Sequence, residues 1–153
     1  MAEYSAPSLQ LLNPGQSVIF TTTTVPCERG FIMHRENSGV FILSGYVPYC
    51  NCCRGSRNAQ YLVDFGANVC IPEGGTVDQI SVAFTLDGSE LVDSIMQSYP
   101  TAAEQFNNIS RAITVPVFNG CCELLRVTNM STVQIGVANA NIIFTRPDLV
   151  MSR

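Results

Sequence analysis

The chain has 153 residues, 46% of them apolar and 13% charged, with a net charge of −4 and eight basic residues that are all arginine. It fits one domain that buries roughly two thirds of its unfolded surface, and its charge content is well below the ~25% usual for soluble domains. Part of the surface is therefore expected to lie against other subunits, with Ser, Thr, Asn and Gln solvating the rest. The acidic balance, with no basic cluster beyond Arg54 and Arg57, argues against nucleic acid as a partner. No stretch reaches the ~20 apolar residues of a membrane span.

Residues 1–16 read as an N-terminal arm, with Tyr4, Leu9, Leu11 and Leu12 for grip and Asn13-Pro14-Gly15 as its closing turn. The start lacks a basic n-region and a long apolar core, so synthesis in a cytoplasm is expected. From residue 17 to residue 153 the pattern is that of one β-domain. The run Val18 to Val25 is β-branched, and short strands follow at Phe31 to Arg35 and Val40 to Leu43. Gly45 to Asn58 carries Pro, Gly, Arg and Cys without periodicity and reads as a loop.

Period-two patterning resumes at Tyr61, Val63 and Phe65 and again from Thr76 to Leu86. Asp87-Gly88 then turns the chain toward Leu91 to Tyr99. Thr101 to Asn108, preceded by Pro100 and carrying Thr101 and Glu104 at capping-box spacing, is the expected short helical turn. Beyond it Ile113, Val115 and Val117 alternate, Asn119-Gly120 supplies a hairpin turn, and strands run through Cys121 to Asn129 and Val133 onward. About ten strands at such spacing point to a sandwich or jelly roll. In the last strand side chains on both faces are small or apolar, which suits a strand covered on both sides, and Val137, Asn139, Asn141 and Ile143 form the candidate axis of a trimer. A central strand of the sandwich is the alternative reading.

Chemistry-bearing residues are sparse. The seven cysteines (Cys27, Cys50, Cys52, Cys53, Cys70, Cys121 and Cys122) are odd in number and lack zinc-knuckle spacing. They stand as free thiols or as candidates for a disulfide or an intersubunit crosslink, with no metal or cofactor implied. Cys121 and Cys122, adjacent on a strand, should point to opposite faces, one of them inward. His34 is the single histidine, and a hydrogen-bonded structural role is favoured over a general base. The acidic pairs Asp87/Glu90 and Asp64/Glu73 are placed in or beside turns. No phosphate-binding glycine loop precedes a helix, so an enzyme is not expected.

The blocks VPCERGFIMHRENSGVFILSG, YLVDFGANVCIPEGGTVDQISVAFTLDG, FNGCCELLRVTN and VANANIIFTR resemble short proteins of gut Clostridia and their phages. That family in turn is similar to trimeric jelly rolls of the tumour-necrosis-factor and complement-globular-head type. The resemblance implies ten strands in two sheets and three subunits around an axis. The collagen-like Gly-X-Y stalk of such proteins is missing here, and Cys50 to Asn58 looks like an insertion. A structural virion protein follows as the leading expectation: a capsid decoration or head fibre made in the bacterial cytoplasm, with the major capsid protein as partner. A surface-displayed binding module, or a bacterial cell-surface or spore head domain, is the alternative. For the binding module the recognition loop would present Tyr46, Tyr49, Arg54 and Arg57 to a host glycan, since aromatics and Arg dominate recognition surfaces.

Overall fold

The computed structural model describes residues 1–47 and 58–150. Alternating side chains order them into twelve strands in chain order: β1 (Ala2–Ala6), β2 (Gln10–Leu12), β3 (Thr22–Val25), β4 (Ile32–His34), β5 (Phe41–Ser44), β6 (Asn58–Cys70), β7 (Ile80–Leu86), β8 (Ser89–Glu90), β9 (Met96–Ser98), β10 (Asn107–Phe118), β11 (Cys122–Asn129) and β12 (Ile135–Thr145). The first sheet runs β10-β6-β12-β1-β3, with β2 also on β12, and the second runs β4-β5-β11-β7-β8, with β9 also on β7. Every pairing between these strands is antiparallel. The expected all-β jelly-roll sandwich is the fold found.

Each sheet turns one parity of side chains inward. Tyr61, Val63, Phe65 and Val69 of β6 face Phe41 and Leu43 of β5, Val82 and Phe84 of β7, and Leu125 and Val127 of β11 in one continuous core. Edge-to-face contacts link Phe65 to Phe84 and to Phe20, with ring centroids 6.2 and 6.4 Å apart. Such pairs add to the stabilisation from buried area.

Three local readings of the sequence are corrected. Thr101 to Asn108 is not helical: Glu104 lies at φ 61°, and Thr101 bonds to Gln105 Oε1 through both its N–H and its hydroxyl. Residues 107 and 108 already belong to β10. The α-helical turn falls instead at Pro147–Val150. The N-terminal segment is no loose arm in this structure. Its residues 2–6 form a strand between β12 and β3, with Ala2, Tyr4 and Ala6 buried.

The third correction concerns the last strand. The pairing of β12 with β6 shifts register between Ala138 and Asn141, where Asn139 adopts φ 53° and donates its N–H to Pro7 O at 3.3 Å. This bulge inverts the parity of the side chains. Val137 therefore joins the core with Ala140, Ile142 and Phe144, while Asn141 and Ile143 face outward, so the four expected axis residues do not share a face.

The turn after β11 is held by buried polar groups. Asn129 Nδ2 donates to Leu12 O at 3.0 Å and Val133 O at 3.1 Å, and its Oδ1 accepts Ser131 N–H at 2.9 Å. Ser131 Oγ in turn accepts Ser81 N–H at 2.8 Å. These bonds fasten the 130–134 loop to β7 and β2, and they bury the side chain of Asn129 completely.

Candidate functional site

The end of the sandwich where β5, β11 and β12 meet holds the chain's densest chemistry. Gly45 donates its N–H to Cys121 O at 2.8 Å, and Cys121 N–H reaches Phe118 O at 2.9 Å. A Cβ on Gly45 would lie 1.9 Å from Phe118 O, so no larger residue fits there. This close approach brings Tyr46 near the Asn119-Gly120 turn, with Tyr46 57% and Phe118 65% exposed. The ring of Tyr46 stacks on Phe31 at 6.3 Å and 26°.

Beneath Tyr46 sits Arg146, which is buried. Its guanidinium lies 4.8 Å from the Phe31 ring centroid and 4.9 Å from that of Tyr61. It pairs with Asp148 through Nε to Oδ1 at 3.0 Å and Nη2 to Oδ2 at 2.7 Å, and Nη2 also donates to Tyr46 O at 3.2 Å. Nη1 has no acceptor among the described residues. Burial is the largest single influence and works against the charge of Arg146, but the hydrogen bond to Asp148 together with the interactions with Tyr61 and the Asp148 charge outweighs it and holds the proton above the usual arginine range. Tyr61 Oη sits between Phe31 O at 3.0 Å and Ser44 O at 2.5 Å. A cation between two aromatic faces, forked onto a carboxylate, ties β12 and the helical turn to the base of the 45–58 segment.

Burial pushes the phenols of Tyr61 and Tyr4 up to about 12, with Arg146 partly offsetting the effect at Tyr61. In the unfolded chain each loses its proton near pH ~10. Between pH ~10 and ~12 the folded state thus binds more protons than the unfolded one, and stability falls as pH rises. The contribution is fully present below pH ~10 and gone above ~12, on the order of 1–2 kcal/mol per phenol. Urea titrations at pH 9 and 11 should register the loss, and Tyr4→Phe should flatten it. An unchanged midpoint would contradict the burial of both hydroxyls.

Of the sequence-predicted recognition residues, Tyr46 is placed here; Tyr49, Arg54 and Arg57 lie outside the described residues, as do Cys50, Cys52 and Cys53. Cys121 and Cys122 are both exposed free thiols, so neither packs inward as expected. Cys122 opposes Ser44 and shares the outward parity of Leu124 and Arg126, so it faces away from the core. Cys70 is buried and free. Burial raises its thiol pKa, and the nearby Glu104 raises it further. No intramolecular bridge forms among the described cysteines Cys70, Cys121 and Cys122, and Cys27 is half-buried against the core. No cluster of His, Cys, Asp and Glu suited to a metal occurs among the described residues.

His34 Nδ1 is 3.0 Å from Val40 O, Nε2 is 3.3 Å from Phe20 O, and the ring stacks on Phe41 at 4.3 Å. Both nitrogens face backbone carbonyls, and a neutral ring donates its one N–H to one of them, the structural role the sequence favoured. Asp87 Oδ1 accepts Leu124 N–H at 2.9 Å, a hairpin contact. Asp64, expected beside a turn, lies mid-strand on the outward face of β6. Sequence reasoning missed Arg146, Phe31 and Tyr61 as a unit. The one available sign was an arginine directly after an apolar strand, two residues before an aspartate.

The outward face of the first sheet is built from short side chains. Lateral rows set Ala112 beside Asp64, Asp64 beside Ile143 and Ile143 beside Glu3, with Ser110, Gly66, Asn141 and Ser5 in the next row. Glu3 Oε1 accepts a hydrogen bond from Asn141 Nδ2 at 2.7 Å. Ile143 is half-buried in the middle of this face.

No family model matches the chain, and no curated protein matches it in sequence. Solved structures do match in shape. The globular domain of the zebrafish complement 1qA protein aligns with 93% of this chain and 94% of its own length, at 9% identity and a TM-score of 0.58. The Eiger TNF from S. frugiperda covers 94% of this chain and 90% of its own, at 12% identity and a TM-score of 0.60. The fold is thus that of the complement-globular-domain and tumour-necrosis-factor jelly rolls. A family 35 carbohydrate binding module from Clostridium thermocellum also matches, at 16% identity over 92% of this chain and 95% of its own, with a TM-score of 0.37.

Proposed function

We propose that this chain is a non-catalytic assembly module. Three copies pack through the outward face of the β10-β6-β12-β1-β3 sheet and display their loop ends. The observation that carries this is the outward face around half-buried Ile143 on the sheet's central strand, where Asp64 and Glu3 are its lateral neighbours and Gly66, Asn141 and Ala112 lie close by. Small side chains let two backbones approach, and the chain's low charge leaves a surface that water covers poorly. Asp64 and Glu3 stand on either side of Ile143; Glu3 already accepts from Asn141 Nδ2, and Asp64 must meet a donor in the contact, because a buried unpaired carboxylate is costly.

Light scattering on the isolated protein should return close to three times 16.6 kDa. Ile143→Arg should release monomers, since a buried unpaired cation costs several kcal/mol per subunit. A native protein that stays monomeric overturns the reading.

On a phage particle such a trimer serves as a capsid decoration or head fibre bound to the major capsid protein, and that is the placement we favour. The support is the resemblance of the sequence blocks together with the proposed assembly face. Peptide mass spectrometry of purified virions tests it, and absence of the chain from particles rejects it.

The second reading is a surface-displayed binding module on a virion, cell or spore, recognising a host glycan. The exposed pair Tyr46 and Phe118 favours it, because aromatic rings offer apolar faces to sugar rings. A glycan array probed with wild type and with Tyr46→Ala, Phe118→Ala decides it: a signal lost in the variant supports recognition at this end, and no signal counts against it.

A further inference from the structure

We propose that the groove between β12 and β3 is an exchangeable strand-acceptor site, which takes residues 2–6 of a second copy in place of the chain's own. The register defines the seat. On β12, Ala2 opposes Phe144 and Ala6 opposes Ala140; on β3, Glu3 opposes Val25 and Ser5 opposes Thr22. Both pairings are antiparallel, so the strand is hydrogen-bonded along both edges, and Thr21 N–H adds a bond to Ser5 O at 3.1 Å.

The seat selects a pattern of side chains. Its inward positions run small, aromatic, small, and Ala2, Tyr4 and Ala6 are all buried. The Tyr4 ring sits among His34 and Phe41 of the second sheet and Phe144 of β12, edge-on to all three. Such geometry favours an aromatic ring over an aliphatic chain of similar size. On the outward side Glu3 Oε1 accepts from Asn141 Nδ2 at 2.7 Å, and the Ser5 and Thr24 hydroxyls lie 3.1 Å apart. Main-chain pairing supplies affinity and the alternate side chains supply selectivity, as in other cases where a strand is added to a sheet.

The strand is lightly tethered to its own chain. Pro7, Ser8 and Leu9, which link it to β2, are all exposed, and a long backbone bond from Asn139 N–H to Pro7 O, at 3.3 Å, fastens them. Among the described residues β3 pairs with β1 alone. Departure of the strand therefore leaves backbone groups of both β12 and β3 unpaired, a costly state until a strand of the same pattern fills the seat. A second copy carries that pattern. The exchanged contacts equal the original ones, so the balance is set by protein concentration against the effective concentration of the tethered strand, on the order of mM for a short linker. The inference rests on the fold and not on the assembly face, because an exchanged strand presents the same Glu3 and Ser5 outward.

A disulfide trap in the full chain tests this, because the side chains of Ser5 and Thr24 meet across the seat. A Ser5→Cys copy and a Thr24→Cys copy are mixed at about 1 mM and treated with diamide, which takes two electrons and two protons from the paired thiols and becomes the hydrazine. Peptide mapping should find a bond joining position 5 of one variant to position 24 of the other. Adding Tyr4→Ala to the Ser5→Cys copy should cut the yield about tenfold or more, while Tyr4→Phe there should keep it. Adding Tyr4→Ala to the Thr24→Cys copy loosens that copy's own strand and should raise the yield. A link made by face-to-face packing of intact copies would not depend on the donor's Tyr4, so a yield indifferent to Tyr4→Ala in the donor overturns the proposal. Absence of the link in the mixture, while a chain carrying both cysteine substitutions closes its own bond, overturns it as well. Failure of that double variant to close contradicts the seat itself and has the same consequence.

Discussion

Tyr4→Ala is expected to cost about 3–5 kcal/mol, a large share of the ~5–15 kcal/mol that holds a domain together. Tyr4 is 3% exposed. Its ring meets His34 and Phe41 at 4.9 Å and Phe144 at 6.0 Å, so it joins both sheets through one side chain. The strand that carries it has only five residues, and its other inward positions are the alanines Ala2 and Ala6. Truncating the ring removes nearly all the burial that keeps β1 between β12 and β3. Residues 1–6 should then fray, visible as fast amide exchange at Glu3 and Ser5 and a lower urea midpoint. Because Tyr4→Phe keeps the ring contacts, it should stay within about 1 kcal/mol of wild type. A midpoint for Tyr4→Ala within 1 kcal/mol of wild type would mean that the first strand is not packed as described.

Asp148→Ala should be nearly as damaging, at about 3 kcal/mol, although Asp148 lies close to the chain's end. The side chain of Arg146 is 7% exposed, and Asp148 supplies both oxygens of its fork. Removing that carboxylate strands a cation among Phe31, Tyr61 and a single carbonyl, Tyr46 O. Desolvation of the orphaned charge, more than the lost attraction, sets the size of the effect. The double change Arg146→Met, Asp148→Ala removes charge and partner together and should recover much of the loss. A double-mutant cycle on urea midpoints at fixed protein concentration measures the coupling. Coupling near zero would mean that water reaches Arg146.

The same reasoning separates what local pattern can specify from what needs the whole chain. The hairpin turns Asp87-Gly88 and Asn119-Gly120 were legible because positive φ at Gly88 and Gly120 is a demand met within the turn itself. The inward parity of Tyr61, Val63 and Phe65 was equally legible, because one buried sheet face imposes a period of two. Thr101 to Asn108 misled because a capping box is a local preference of modest energy. The hydrogen bonds of Thr101 to Gln105 and the pairing of β10 with β6 outweigh it.

In the last strand Asn141 and Ile143 face outward while the bulge at Asn139 leaves Val137 inward, and nothing in a period-two reading marks where a register will slip. Arg146 looked like any surface arginine until Phe31, Tyr61 and Asp148 closed around it.

Alternation and turn chemistry, decided between neighbours in sequence, were enough to specify an all-β sandwich. Register, the fate of the first six residues and the companions of each arginine came from tertiary structure alone. They depend on hydrogen bonds between distant strands, whose partners are chosen by the burial of the entire core.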